Sequence, residues 1–172
     1  MSVSTVKEAK EKITQWLSEN GHQVKLVDED THSNFHFEID YPLGTMKRQR
    51  IIQPKEYPGL IVLLNGVGIS DEHKEKISKL TEDEKNAFYG GIKKDLMFHE
   101  NSYDMNADDK SVIQQIQFSH EFYFDSLTKT SLFRGLLLNH RSLLYIVTIF
   151  NDKFGVPAMP TEMRPQAAPT IQ

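Results

Sequence analysis

Seven histidines are the residues of this chain best suited to proton transfer or metal binding. They are His22, His32, His36, His73, His99, His120 and His140. No pair has the spacing of a zinc-binding helix motif, and no carboxylate completes a recognisable ligand set. His36 and Glu38 share one face of an alternating segment, but two ligands on an exposed strand do not make a metal site. We therefore predict no metal and no other cofactor.

Two of these histidines interrupt apolar patterns and are candidate binding residues. His120 shares a face with the apolar side chains of the segment Val112–Phe124, and His140 lies near the inner side of the last predicted helix. A buried imidazole usually makes a structural hydrogen bond. For His120 we predict a neutral, buried and hydrogen-bonded side chain. The alternative is a small-ligand pocket near His120 and His140.

The sequence contains no pattern typical of covalent or phosphate chemistry. It has no cysteine and no Gly-x-Ser-x-Gly elbow. Gly66-Val67-Gly68 follows a strand, where phosphate-binding loops occur, but the third glycine of a dinucleotide fingerprint and the lysine of a P-loop are missing. We interpret these glycines as a bulge or as a close approach of another element. The protein is predicted not to be an enzyme.

The basic cluster Lys47-Arg48-Gln49-Arg50 has two interpretations. Lys47, Arg48 and Arg50 could contact the phosphates of a nucleic acid. On an alternating strand they could equally form a charged sheet edge that discourages aggregation. The net charge of −4 and the pI near 6.0 favour the edge, so a nucleic-acid partner is the alternative and not the first expectation.

Length and composition indicate one domain that folds without disulfides. The chain has 172 residues, enough to bury a core. Its first residues carry no apolar signal segment, and its longest apolar run, Leu60–Leu64, is too short to cross a membrane. We expect a cytoplasmic protein without a membrane partner.

Hydrophobic periodicity predicts an α+β fold with a mostly antiparallel sheet of about five strands. The predicted strands are His22–Glu29, Asn34–Tyr41, Met46–Gln53, Leu60–Ile69 and Val112–Phe124. Short connections between the first four favour a meander. The polar segment Glu100–Lys110 predicts a loop.

The helical segments lie at the N-terminus, in the middle and near the end of the chain. Thr81 and Glu84 form a capping box for the middle helix, and Ser131 can cap a long last helix that ends at Gly155. We predict that this last helix packs on the sheet through Phe133, Leu137, Leu144 and Val147. Residues 1–156 would form a single α+β domain, followed by a Pro-rich flexible tail, 157–172, that folding does not require.

Two short segments and the order of elements carry a resemblance. Gln53-Pro54-Lys55-Glu56-Tyr57-Pro58-Gly59 leads into the strand at Leu60, and Asn139-His140-Arg141 lies within the last helix. The chain from Thr5 to Gly155 resembles a family of uncharacterised archaeal proteins with the fold of type III secretion chaperones. That resemblance implies a small, acidic, non-enzymatic dimer, although an archaeal host would lack the secretion machine and its clients. The single long strand Val112–Phe124 departs from the pair of strands in those chaperones.

The sequence therefore predicts a non-enzymatic, homodimeric binding protein. Its expected activity is chaperone-like capture of a peptide or protein partner on exposed sheet and helix surface. One alternative is a nucleic-acid accessory protein that acts through Lys47, Arg48 and Arg50. The other is a small-ligand protein with a pocket near His120 and His140.

Overall fold

The computed structural model describes residues 3–45 and 47–158, which form six strands and four α-helices. The helices are α1 (Val6–Glu19), α2 (Asp71–Ser78), α3 (Glu82–Leu96) and α4 (Lys129–Phe154). The strands are β1 (Lys25–Leu26), β2 (Ser33–Asp40), β3 (Arg48–Pro54), β4 (Leu60–Gly68), β5 (Ser102–Ala107) and β6 (Ile113–Tyr123). The predicted α+β class is confirmed. Most of the predicted tail, 157–172, lies outside the described residues.

The strands form one antiparallel sheet in the order β1-β2-β3-β4-β6-β5. The first four are consecutive neighbours, as the predicted meander requires, and β6 then pairs along β4. The predicted loop Glu100–Lys110 is wrong, because it contains β5. The strand signal was weak there, since only Tyr103 and Met105 are partly buried and the other residues of β5 are exposed.

The helices pack against one face of the sheet, which we call the covered face. Two apolar clusters join them to the strands. The first contains Ile13 and Leu17 of α1 together with Phe37, Ile51 and Leu63 of the sheet. The second contains residues of α2, α3, β6 and the C-terminal half of α4: Ile77, Ile92, Leu96, Ile116, Phe118, Leu143, Ile146 and Phe150. Burial of these side chains is the main favourable term in folding.

Helix α4 crosses the centre of the covered face, with a different start and a different buried side from those predicted. Thr128 is its N-cap, and Ser131 completes a capping box at the third helical position. Its buried apolar residues are Leu132, Leu136, Leu143, Ile146 and Phe150, whereas Leu137 and Leu144 are exposed. The predicted packing through Leu137 and Leu144 is wrong, because small and polar residues share the buried side and shift the apparent phase of the apolar pattern. Those residues are Gly135, Asn139 and Ser142.

The predicted helix caps at Thr81 and Gly155 are confirmed, and the prediction for Gly66 is confirmed in one part and wrong in the other. The capping box of Thr81 and Glu84 begins α3 as predicted, and Gly155, with φ +83°, ends α4. The predicted bulge near Gly66 is wrong, since the β4–β6 register runs without a shift. The predicted close approach is confirmed there, because a Cβ on Gly66 would lie 2.9 Å from Nε2 of Gln115.

Candidate functional site

The face of the sheet opposite the helices is a candidate binding surface, which we call the open face. Alternation along the strands places one set of side chains there. These residues are His36, Glu38, Arg48, Arg50, Ile52, Val62, Leu64, Gln117, Ser119 and Glu121. None of them belongs to either apolar cluster of the covered face. Within the described chain, the helices therefore leave this face uncovered.

The centre of the open face is apolar. Ile52 of β3 lies directly opposite Val62 of β4, and Leu64 lies two residues further along β4. All three side chains are half-buried, although they contact neither core. Their burial comes from neighbours within the sheet, so part of each remains available to a partner. An apolar centre with a polar rim is the usual composition of a protein interface.

Charges of both signs surround this apolar strip of Ile52, Val62 and Leu64. Glu38 lies 3.8 Å from Arg48 and 3.7 Å from Lys25, and it is directly opposite Arg50 in the sheet. Glu121 is paired with Val62 on the other side of the strip. Exposed ion pairs of this kind contribute at most about 1 kcal/mol to stability. The three positive and two negative charges leave the surface with little excess of positive charge.

The basic cluster is divided by the fold. Arg48 and Arg50 lie on the open face, whereas the positive charge of Lys47 acts on His140 at the covered side. The predicted charged edge is wrong, because β3 is paired on both sides, with β2 and with β4. Alternation alone could not separate an edge strand from an interior one.

His36 is held at the margin of the open face by a carboxylate. Its Nδ1 lies 2.9 Å from Oδ2 of Asp30. Asp30 also accepts hydrogen bonds from the hydroxyl of Ser33 and the backbone N–H of His32. The bond from Ser33, followed by those from His32 and His36, lowers the pKa of Asp30. In the part of the chain that the structure describes, no three His, Asp or Glu side chains are grouped to hold a metal ion.

His120 and His140 lie in different surroundings. The ring of His120 packs against Gly135 of α4, where a Cβ would lie 2.7 Å from its Cδ2. The ring of His140 meets Tyr41 edge-on with centroids 6.1 Å apart. Burial lowers the pKa of His120, and burial together with the charge of Lys47 lowers that of His140. The contacts described for the two rings involve different residues, Gly135 and Phe122 for His120 and Tyr41 for His140.

The predicted state of His120 is partly wrong. Its side chain is half-buried, and within residues 3–45 and 47–158 its ring makes no hydrogen bond. Gly135 leaves room for the ring, so van der Waals contact replaces the expected polar partner. The lowered pKa agrees with the predicted neutral form.

A buried polar network under α4 is the feature that sequence reasoning missed. Asn139 donates to the carbonyl of Leu63 at 3.1 Å and accepts from Asn101 at 3.0 Å. Asn65 donates to the backbone carbonyl of Asn139 at 3.2 Å. On β3, Gln49 donates to the carbonyl of Leu136 at 2.8 Å. These amides fix α4 to the central strands. Because the buried side of α4 was mispredicted, Asn139 did not stand out in the sequence as an inward-facing amide.

The same network contains a serine beside a histidine, which is the arrangement of an activated nucleophile. Nδ1 of His99 lies 2.7 Å from Oγ of Ser142. The Ser142 hydroxyl, however, donates to Oδ1 of Asn101 at 3.0 Å, so His99 must be the donor in its own contact. Ser142 is only 1% exposed, which keeps it from any substrate. We assign the pair a structural role.

An apolar cavity of about 180 Å³ lies between the end of β4, α2 and α4. Val67, Ile146 and Phe150 line it, and Pro157 borders it. Two of the polar groups nearby have partners, because His73 lies 2.7 Å from the Gly155 carbonyl and Ser70 caps α2, and the amide of Asn151 also borders the cavity. The cavity therefore offers little to orient a polar ligand.

No described helix is both long enough and apolar enough to cross a membrane. The fold and its surface define a class: an α+β protein with four described helices on one side of an antiparallel sheet and an uncovered opposite side. The chain belongs to the family of uncharacterised conserved proteins DUF2299, whose model matches residues 9–150. The predicted membership of an uncharacterised family is confirmed.

One solved structure confirms the fold of the chain. An uncharacterised protein from Methanothermobacter thermautotrophicus is 24% identical, with a TM-score of 0.79 over 86% of this chain and 99% of its own. YbjN from E. coli is 12% identical over 87% of this chain and 93% of its own. Its TM-score of 0.44 is too low to support a conclusion about this chain. No curated protein is significantly similar to this sequence. The likeness to type III secretion chaperones stays a prediction.

Proposed function

We propose that this protein is a non-enzymatic binding protein that holds an extended segment of a partner polypeptide against the open face. The observation that carries the proposal is the uncovered apolar strip of Ile52, Val62 and Leu64 on adjacent central strands. An extended segment lies along such a strip and places alternate side chains on it.

The rim of the open face favours a polypeptide over a nucleic acid. Arg48 and Arg50 stand close to Glu38, and Glu121 borders the strip from the other side. A surface of this kind can pair with acidic and basic side chains alike, but it would repel a phosphate backbone at its carboxylates. The strip at the centre of the open face is aliphatic and offers no ring on which bases could stack, and the exposed Tyr123 lies at its end, opposite Leu60.

The test uses peptides selected on the full-length chain. Random peptides of about 12 residues are displayed and selected for binding. Their affinities are then measured by fluorescence anisotropy. Leu64→Glu should weaken binding at least about tenfold, because it places a charge in the apolar strip.

The matched control is Leu144→Glu, which changes a leucine that is 40% exposed on the outer side of α4. That variant should bind the selected peptides as the unchanged chain does. Equal loss in both variants, or failure to select any peptide, would contradict the proposal. Binding of single-stranded RNA or DNA that falls with salt and with Arg48→Ala or Arg50→Ala would instead favour the nucleic-acid alternative.

A further inference from the structure

The outer edge of β5 carries an inference beyond the proposed function. We propose that two copies of this chain pair through this edge, strand against strand, and form a closed two-fold dimer. The edge is separate from the apolar strip of the open face. An experiment can therefore disprove the dimer without disproving the peptide site, and the reverse.

Strand β5 leaves one of its sides unpaired. It is six residues long, and β6 is its neighbour on one side only. In residues 3–45 and 47–158, no further backbone hydrogen bond reaches it. A free edge presents a row of N–H and C=O groups that are ready to pair with another strand. Ser102, Asp104 and Asn106, on the open-face side of β5, are exposed and accessible to a second strand.

The two edges of the sheet are protected differently. At one end, β1 has only two residues, and charged residues surround it: Lys25 within it, and Asp28 and Glu29 after it. At the other end, β5 contains no Pro, Lys or Arg, and its irregularity falls at its last pair, between Asn106 and Ala107. Short strands, charges and bulges are the usual devices against edge pairing. The β5 edge is six residues long against two in β1, and it carries one charge, Asp104, and an irregularity only at its end, although Asp108 and Asp109 follow it. It is therefore the longer free edge of the two.

This asymmetry favours a closed dimer over a fibre. Pairing two β5 edges consumes both free edges and leaves the two protected β1 edges outside. A two-fold contact uses the same surface on both copies and therefore ends with two chains. The result is one continuous sheet with the helices of both copies on the same side.

The chemistry of β5 fits a second copy of itself. With the two-fold axis normal to the sheet, odd positions oppose odd positions and even oppose even. A pairing centred on Met105 sets Asp104 opposite Asn106 of the second copy, and symmetry repeats that contact. The amide of Asn106 can then donate to the carboxylate of Asp104, the one charge of the strand. A pairing centred on Asp104 would oppose two carboxylates and is disfavoured.

The first test measures association of the full-length chain by sedimentation equilibrium. The chain should dimerise in a concentration-dependent manner. Asn106→Asp should weaken the dimer about tenfold, because it creates two like-charge pairs with Asp104. Asp104→Lys combined with Asn106→Asp should restore it, since the pairs become opposite in charge. Both positions are exposed, so thermal melts should show an intact fold in each variant.

The second test uses the absence of cysteine from the chain. Met105→Cys places one thiol at the proposed axis, where mild oxidation should join two copies. Asp104→Cys is the matched control, since its copies lie two positions apart and more than about 7 Å separates their Cα atoms. A chain that stays monomeric at all concentrations would overturn the proposal. An unchanged dimer dissociation constant in the Asn106→Asp variant would also overturn it. So would a cross-link that forms with Asp104→Cys and not with Met105→Cys.

Discussion

Leu63 and Leu64 are neighbours on β4, yet they lie on opposite faces of the sheet. Leu63 is fully buried in the cluster that joins α1 and α4 to the strands, whereas Leu64 is half-buried and belongs to neither cluster. The covered face is closed by side chains that fit one arrangement of α4, and the open face has no such fixed partner. We therefore expect substitutions on the two faces to separate stability from binding.

The largest expected difference is between Leu63→Ala and Leu64→Ala. Removing Leu63 leaves a cavity beneath α4 and should lower the free energy of unfolding by about 4 kcal/mol. The same change at Leu64 removes contacts from a partly solvated strip and should cost about 1 kcal/mol. Urea denaturation of the two variants measures both values. Similar losses would show that the open face is covered in solution.

The polar network should be nearly as sensitive as the apolar core. Asn139→Ala removes the partner of Asn101 and a donor to the Leu63 carbonyl in a fully buried position, at a cost of about 3 kcal/mol. The matched control is Asn86→Ala on the exposed side of α3, which should change stability by less than about 0.5 kcal/mol. If denaturation showed equal changes in the free energy of unfolding for both variants, the network would not be what fixes α4.

A smaller but sharper test compares two helical glycines. A Cβ on Gly135 would lie 2.6 Å from Cδ1 of Leu63, so Gly135→Ala should destabilise the fold by about 2 kcal/mol. Gly91 on α3 has open space around it, and Gly91→Ala should stabilise by about 0.5 to 1 kcal/mol. Thermal or chemical denaturation gives the sign of each change. A gain in stability at Gly135 would mean that α4 can move away from the sheet.

The smallest expected effect is a change in pH dependence. Burial lowers the pKa of His120 below its ordinary 6.5, and the charges that act on it are Glu100, Arg134 and Glu121. A lowered folded pKa stabilises the protein above the ordinary value, and that stabilisation is lost as the pH falls below about 6.5. His120→Leu should keep the fold and reduce the loss of stability between pH 7 and pH 5. An unchanged pH profile, measured by denaturation at each pH, would assign the acid sensitivity to other groups.

The sequence predicted the elements whose alternation is regular. In β2, Phe35, Phe37 and Ile39 point to the covered face as the pattern indicated, and the capping box at Thr81 marked the start of α3. It failed at β5, because a six-residue edge strand with polar exposed positions looks like a loop. It also misplaced the buried side of α4, since three of the buried residues of that helix, Gly135, Asn139 and Ser142, carry no apolar side chain.

The candidate site was less accessible to sequence reasoning. Lys47, Arg48 and Arg50 were named as one cluster, but the strand alternation and the turn before β3 send them to different sides. His120 and His140 interrupt apolar patterns for separate reasons, one to fit against Gly135 and the other beside Tyr41. The strip of Ile52, Val62 and Leu64 could not be recognised, because β3 buries Gln49 and Gln53 while it turns Ile52 outward. Which face receives the helices depends on long-range packing.

The pairing of β4 with β6 has a consequence for synthesis on the ribosome. Strands β1 to β4 leave the ribosome first and can pair with one another through short loops. Strand β4 contains the most apolar run of the chain, Leu60–Leu64. The edge of β4 that pairs with β6 stays unpaired until α2, α3 and β5 have also been made. During that interval the nascent chain presents a free apolar strand, the kind of segment that aggregates or engages cellular folding factors. The time needed to complete the segment between Gly68 and Ile113 therefore sets how long this strand stays unpaired.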